Sequence, residues 1–91
     1  MSTTPDGDSP EQKVQRLGRL EKGTKATVVR LAGGRALQNR LVSMGLTVGS
    51  DVEVVRSSRV SGGPTLVAAG GTRLAIGRGM ADRIEVTVRT D

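Results

Sequence analysis

Apolar positions along this chain change period several times, and the changes mark out its elements. Residues 1–12 carry no apolar side chain after Met1, so nothing there offsets the entropy of ordering. A mobile tail over residues 1–13 and one folded domain over residues 14–91 are expected, with Leu17 and Leu20 opening the packed part. After the turn signal Lys22-Gly23, the β-branched stretch Lys25–Leu31 reads as the first strand, closed by Gly33-Gly34. Leu37, Leu41 and Met44 then fall at i, i+4 and i+7, which places them on one helical face. Gly45 can adopt the left-handed conformation that ends such a helix and folds Leu46 back onto Leu41, and Thr47–Ser50 reads as a type II turn with Gly49 at its positive-φ position. Four further strands follow at 51–56, 65–69, 72–76 and 84–89, the middle two joined by the hairpin signal Gly70-Gly71. Turn signals this close together favour a small barrel or sandwich over a parallel sheet, so the expected fold class is all-β with one helix.

Composition narrows the chemistry. The chain of 91 residues has no Cys, no His and no Phe, Trp or Tyr. Its core must therefore be aliphatic, and neither a disulfide nor a thiolate metal site can brace it. Nucleophile–base pairs of the Ser/His or Cys/His kind are impossible, and no glycine pair has the setting of a phosphate loop. Asp51 and Glu53 share a strand face and read as solvated carboxylates. No catalytic residue, cofactor or metal site is expected. The balance of 14 Lys and Arg against 9 Asp and Glu gives +5, spread along the chain. That surplus suits an acidic partner, an anionic lipid surface, nucleic acid or plain solubility. A nucleic-acid-binding barrel is the main alternative, although the aromatic platforms that stack single-stranded bases are missing. No apolar run is long enough to span a membrane and the N-terminus has no signal-peptide pattern, so the expected location is cytoplasmic.

The block Arg40-Leu-Val-Ser-Met-Gly-Leu-Thr-Val-Gly-Ser-Asp-Val-Glu-Val resembles the signature of the FeoA family. Its flanks agree: Leu17-x-x-Leu20 and Gly23 before the first strand, Gly63-Pro64 before the middle one, and Leu74-Ala75-Ile76 followed by Ala81-x-x-Ile84-x-Val86 at the close. The resemblance covers about residues 17–88. It implies a five-stranded SH3-like barrel with one short α-helix inserted after the first strand. It also implies a cytosolic, non-enzymatic accessory of bacterial ferrous-iron transport whose partner is the inner-membrane transporter FeoB. The same barrel occurs as the C-terminal domain of metal-dependent repressors, so a metal-responsive regulatory domain, with Fe2+ held between subunits by carboxylates, is a further alternative. Weak self-association is compatible with either. The chain departs from the family pattern at Val48, where proline is usual, in the 57–63 loop, which lacks the usual first proline, and at Gly77 and Gly79, where charged residues are common.

A docking role needs exposed apolar groups rimmed by arginine. The candidates are Leu37, Leu41, Met44 and Leu46 with Arg40, together with Arg78 and Met80 of the 77–80 turn. The leucine and methionine stripe reads equally as core, and Arg40 as a solvated helix residue. With two glycines, the 77–80 segment is expected to be mobile.

Overall fold

The computed structural model describes residues 14–89; the expected tail and the last two residues lie outside them. Six strands, β1 (Val14–Arg16), β2 (Lys25–Leu31), β3 (Asp51–Arg56), β4 (Thr65–Ala69), β5 (Thr72–Ile76) and β6 (Ile84–Val88), form one antiparallel sheet in the order β1-β6-β2-β3-β4-β5. A 3-10 turn, Leu17–Arg19, follows β1. The main helix, α1 (Arg35–Ser43), follows β2, and two four-residue helices, α2 (Ser58–Ser61) and α3 (Arg78–Ala81), precede β4 and β6.

The mainly β architecture with one main helix is as expected, and two details differ from a five-stranded barrel. The sheet is open between its edge strands β1 and β5, and there is a sixth strand at the start. All three residues of β1 are exposed, so it carries no alternating apolar signal. It exists because its backbone pairs with β6, Val14 opposite Thr87 and Arg16 opposite Glu85. The loop expected at 57–63 instead holds α2. Its start is capped by the buried Ser57, whose Oγ accepts the Arg59 N–H at 3.1 Å, and its end is closed by Gly62 at φ 75°.

Two register shifts decide which residues face the core. In β2, Ala26 and Val28 point inward, and strict alternation would send Arg30 in after them. The pairing with β6 skips a residue at Val29, opposing Val28 to Val86 and Arg30 to Glu85. That extra residue reverses the phase, so Leu31 enters the core and Arg30 stays in water. A second shift at Val55 of β3 does the same, so Ser57 rather than Arg56 turns inward.

The core is mainly aliphatic: Leu17, Val28, Leu41, Leu46, Val54, Val67, Ile76, Ile84 and Val86 are almost wholly buried, and of the buried hydroxyls Thr65 donates to Ser58 Oγ at 3.1 Å. Helix α1 ends as its sequence predicts. Gly45 sits at φ 96°, its N–H donates to the Val42 carbonyl at 2.9 Å, and the Leu46 N–H reaches back to the Leu41 carbonyl at 2.9 Å. These paired bonds lay Leu46 onto the core beside Leu41. The following turn is also as expected: Gly49 has φ 95°, and the Ser50 N–H donates to the Thr47 carbonyl. Gly49 N–H and Ser50 C=O then bond Val28, which ties the turn to β2.

Since Leu46 is fully buried, Leu46→Ala should lower unfolding free energy by roughly 2–5 kcal/mol. Gly45→Ala, which forces a Cβ into the left-handed region, should cost about 1–2 kcal/mol. Urea titration followed by far-ultraviolet circular dichroism measures both, and a Leu46→Ala loss below that of Gly45→Ala would contradict this account of the helix end.

Candidate docking surface

The seven candidate residues do not form one patch. Leu41 and Leu46 have no exposed surface, which corrects their assignment to a partner face: in this fold the stripe that they belong to is core. Met44, at the C-terminus of α1, is half-buried and packs against that core. Arg40 is exposed in the last turn of α1, where a cation opposes the negative end of the helix dipole. Its carbonyl accepts the Met44 N–H and the Ser43 hydroxyl, at 3.2 and 2.7 Å.

Leu37 and Met80 are brought together. Both are half-buried, and they line an open hollow of about 410 Å³ between the start of α1 and α3, with Gly34, Gly77, Gly79 and Arg83. Two contacts position its walls. The Ala32 N–H donates to the Arg83 carbonyl at 2.7 Å, which joins the end of β2 to the end of α3. Gly33, at φ 109°, lets Leu37 and Arg83 close over its backbone: a Cβ there would lie 2.6 Å from Leu37 Cδ2 and 3.3 Å from Arg83 Cδ. The buried Ala81 anchors α3 to the core, so Met80 is held at the rim. At Gly34, Gly77 and Gly79 a Cβ would meet nothing within 4 Å. Much of the hollow is therefore bare backbone beside two aliphatic side chains, with one guanidinium at its edge.

Arg78, two residues from Met80 on α3, lines a different cleft. That cleft, about 520 Å³, lies among the 3-10 turn, α2 and α3, and also presents Arg19 and Arg59. The 77–80 segment thus forms most of a short helix, closed by Ala81 N–H to the Gly77 carbonyl and Asp82 N–H to the Arg78 carbonyl, at 2.8 and 3.1 Å. It separates two hollows of opposite character.

Arg83 and Gly34 escaped sequence reasoning. Arg83 stands in a charged turn with no periodic signal, and only the Gly33 contact shows that it borders Leu37. Asp51 and Glu53 are exposed as expected, and Asp51 accepts the Thr27 hydroxyl at 2.8 Å. Among the described residues, no three His, Cys, Asp or Glu side chains converge as metal ligands. No helix in the described part is long and apolar enough to cross a membrane.

Comparison with known proteins adds a family to this geometry. The model of the FeoA domain matches residues 15–88. The chain is 36% identical over 66 residues to the protein called Fe(2+) transport protein A in Methanocaldococcus jannaschii, covering 72% of this chain and 77% of that one. It superimposes with a TM-score of 0.76 on the crystal structure of an iron uptake regulatory protein, FeoA, at 39% identity over 85% of this chain and 99% of the other. A manganese-dependent transcriptional repressor in complex with manganese gives a TM-score of 0.78 at 21% identity, over 90% of this chain and 39% of the repressor. At that identity the likeness is one of fold alone. It supports the SH3-like architecture, here with its sheet open between β1 and β5.

Gly79 lies in α3 without positive φ and with open space where a Cβ would go. Gly79→Ala should therefore stabilise the protein by about 0.5–1 kcal/mol through a less disordered unfolded chain and better helix propensity. It should also slow amide exchange at Ala81, Asp82 and Arg83. Unchanged exchange there, read by hydrogen–deuterium NMR, would mean that the glycines do not loosen α3.

Proposed function

The chain belongs to the FeoA domain family, and from that membership we propose that it is a non-enzymatic accessory of ferrous-iron transport that docks on the cytosolic side of a FeoB-type transporter. The observation that supports docking is the hollow at Leu37 and Met80. It combines the features of an interface centre: apolar groups left half-exposed and an arginine at the rim. Methionine suits such a place because its unbranched, polarizable side chain adapts to a partner's shape. Arg40 and the half-buried Met44, further along α1, extend the same helix as a secondary contact.

The residue inventory fits a role without bond-making. With no His or Cys in the sequence, nucleophile–base pairs of the Ser/His or Cys/His kind cannot form. The chain would act by binding, in the cytoplasm, and iron would be the transporter's cargo.

Affinity capture from membranes with and without the transporter tests this reading. The wild-type protein should be retained only by membranes that contain it. Met80→Glu, with its amide NMR spectrum showing the fold intact, should bind at least about tenfold more weakly, as loss of a central interface residue does. Equal retention by both membranes would overturn the docking role. Equal binding by folded Met80→Glu would overturn the surface. Capture of short RNA at about 50 mM salt would favour the nucleic-acid reading in its place.

A further inference from the structure

The cleft that Arg78 lines is separate from the docking hollow, and it is basic. Arg19, Arg59 and Arg78 line it with one carboxylate, Asp82, so guanidinium groups exceed carboxylates there by two. The three arginines come from elements far apart in sequence, the 3-10 turn, α2 and α3. Each is carried near a buried anchor: Leu20 beside Arg19, Ser58 beside Arg59, and Ala81 at the end of the helix that bears Arg78. The Ser58 hydroxyl donates to the Gly18 carbonyl at 3.4 Å, which joins α2 to the 3-10 turn. From α3, Asp82 Oδ1 stands 2.9 Å from where a Gly18 Cβ would be, so this end closes on the same turn. The cleft is thus braced by contacts of its own.

Its charges are not neutralised from within. Arg59 is held through Nη1, which donates to the Arg19 carbonyl at 3.2 Å and lies 3.7 Å from Glu21 Oε2. That ion pair is exposed on both sides and contributes little. Arg19 and Arg78 have no carboxylate within ion-pair distance among the described residues, although Asp82 shares their lining. Holding like charges on one cleft costs free energy that an outside anion offsets. The volume of about 520 Å³ exceeds what a single tetrahedral oxyanion fills. The sequence has no aromatic ring, so the cleft offers no platform on which a base could stack. The Ser58 hydroxyl is already engaged, donating to Gly18 and accepting from Thr65 at 3.1 Å. The guanidiniums and the exposed Gln15 amide are therefore the side-chain donors that face a ligand.

We propose that this cleft binds a diphosphate group, with Arg19 and Arg78 as its main ligands and Arg59 as a third. A carboxylate is satisfied by one guanidinium fork, whereas a diphosphate spreads its terminal oxygens over two phosphorus atoms and accepts from several forks at once. Arginines converging from three elements suit the second kind of ligand. The contacts are exposed, so binding is led by charge and is screened by salt. It requires only the purified chain and does not depend on a transporter.

Pyrophosphate titrated into the full-length protein at low salt, followed by calorimetry and amide NMR, tests this. Binding should saturate and shift the amides of Gly18, Arg19, Arg59, Arg78 and Asp82 while those of Arg35 and Arg73 stay in place. Arg19→Gln/Arg78→Gln should weaken it at least about tenfold. Arg35→Gln/Arg73→Gln removes the same net charge elsewhere and should weaken it by less than about twofold. All four arginines are exposed, and the amide spectrum of each variant verifies its fold. Adenosine diphosphate separates the sources of the group: affinity equal to that of pyrophosphate assigns the site to diphosphate esters as well, and weaker binding assigns it to the free ion. Citrate, a carboxylate anion of similar charge at neutral pH, should bind at least about tenfold more weakly than pyrophosphate. Absence of saturable binding, equal losses in the two double variants, or citrate binding as tightly as pyrophosphate would overturn the proposal.

Discussion

The extra residue at Val29 controls what the central strand shows to the core. Without it, β2 would alternate from Ala26 and Val28 to Arg30, and a guanidinium would have to enter an interior whose buried polar residues among those described are hydroxyls, with no carboxylate to pair it. Such burial without a partner is too costly for so small a domain. With the bulge, Leu31 is the inward residue. Its carbonyl then accepts the Gln38 side-chain amide of α1 at 3.1 Å, and the next residue, Ala32, bonds the Arg83 carbonyl beyond α3. One change of strand phase thereby sets the positions of both helices that frame the Leu37–Met80 hollow.

The aliphatic composition of the core sharpens this dependence. Aromatic rings would supply large buried areas at a few positions, whereas here burial is divided among many Val, Leu and Ile side chains. No single one can be misplaced without leaving a gap, so registers and turns must be well defined. The left-handed glycines at 45 and 49 serve that end, since one returns Leu46 to the core and the other ties the turn after it to Val28. Gly18 has a related role: its missing Cβ lets Asp82 and Ala81 close in on the 3-10 turn. That contact brings α3 against the turn and so forms the arginine-lined cleft.

Much of this architecture is legible in the sequence because local rules and tertiary packing agree. Strands 65–69 and 72–76 are bounded by Pro64, Gly70-Gly71 and Gly77, and alternation matches burial in 84–88. What cannot be read there has no local signal. β1 is exposed on every residue and is held by its partner's backbone, and the shifts at Val29 and Val55 exist only relative to neighbouring strands. The site is harder still. Leu37, Leu41, Met44 and Leu46 share one pattern, and only depth separates them: two are core, Leu37 reaches the hollow, and Met44 sits between. A periodicity identifies the buried face of a helix but does not say where that face runs out of core. Leu37, in the first turn of α1, packs against that core only in part and so reaches the hollow.

Four residues, Arg78–Ala81, join these points. Ala81 anchors α3, Met80 points into an aliphatic hollow, and Arg78 into a basic cleft. A helix this short cannot hold itself together, since its nucleation cost exceeds what one or two hydrogen bonds return. Its geometry is maintained by tertiary contacts at Ala81, Gly18 and Arg83, and Gly79 within it lowers its own propensity further. A ligand in either hollow therefore contacts an element whose order is set from outside.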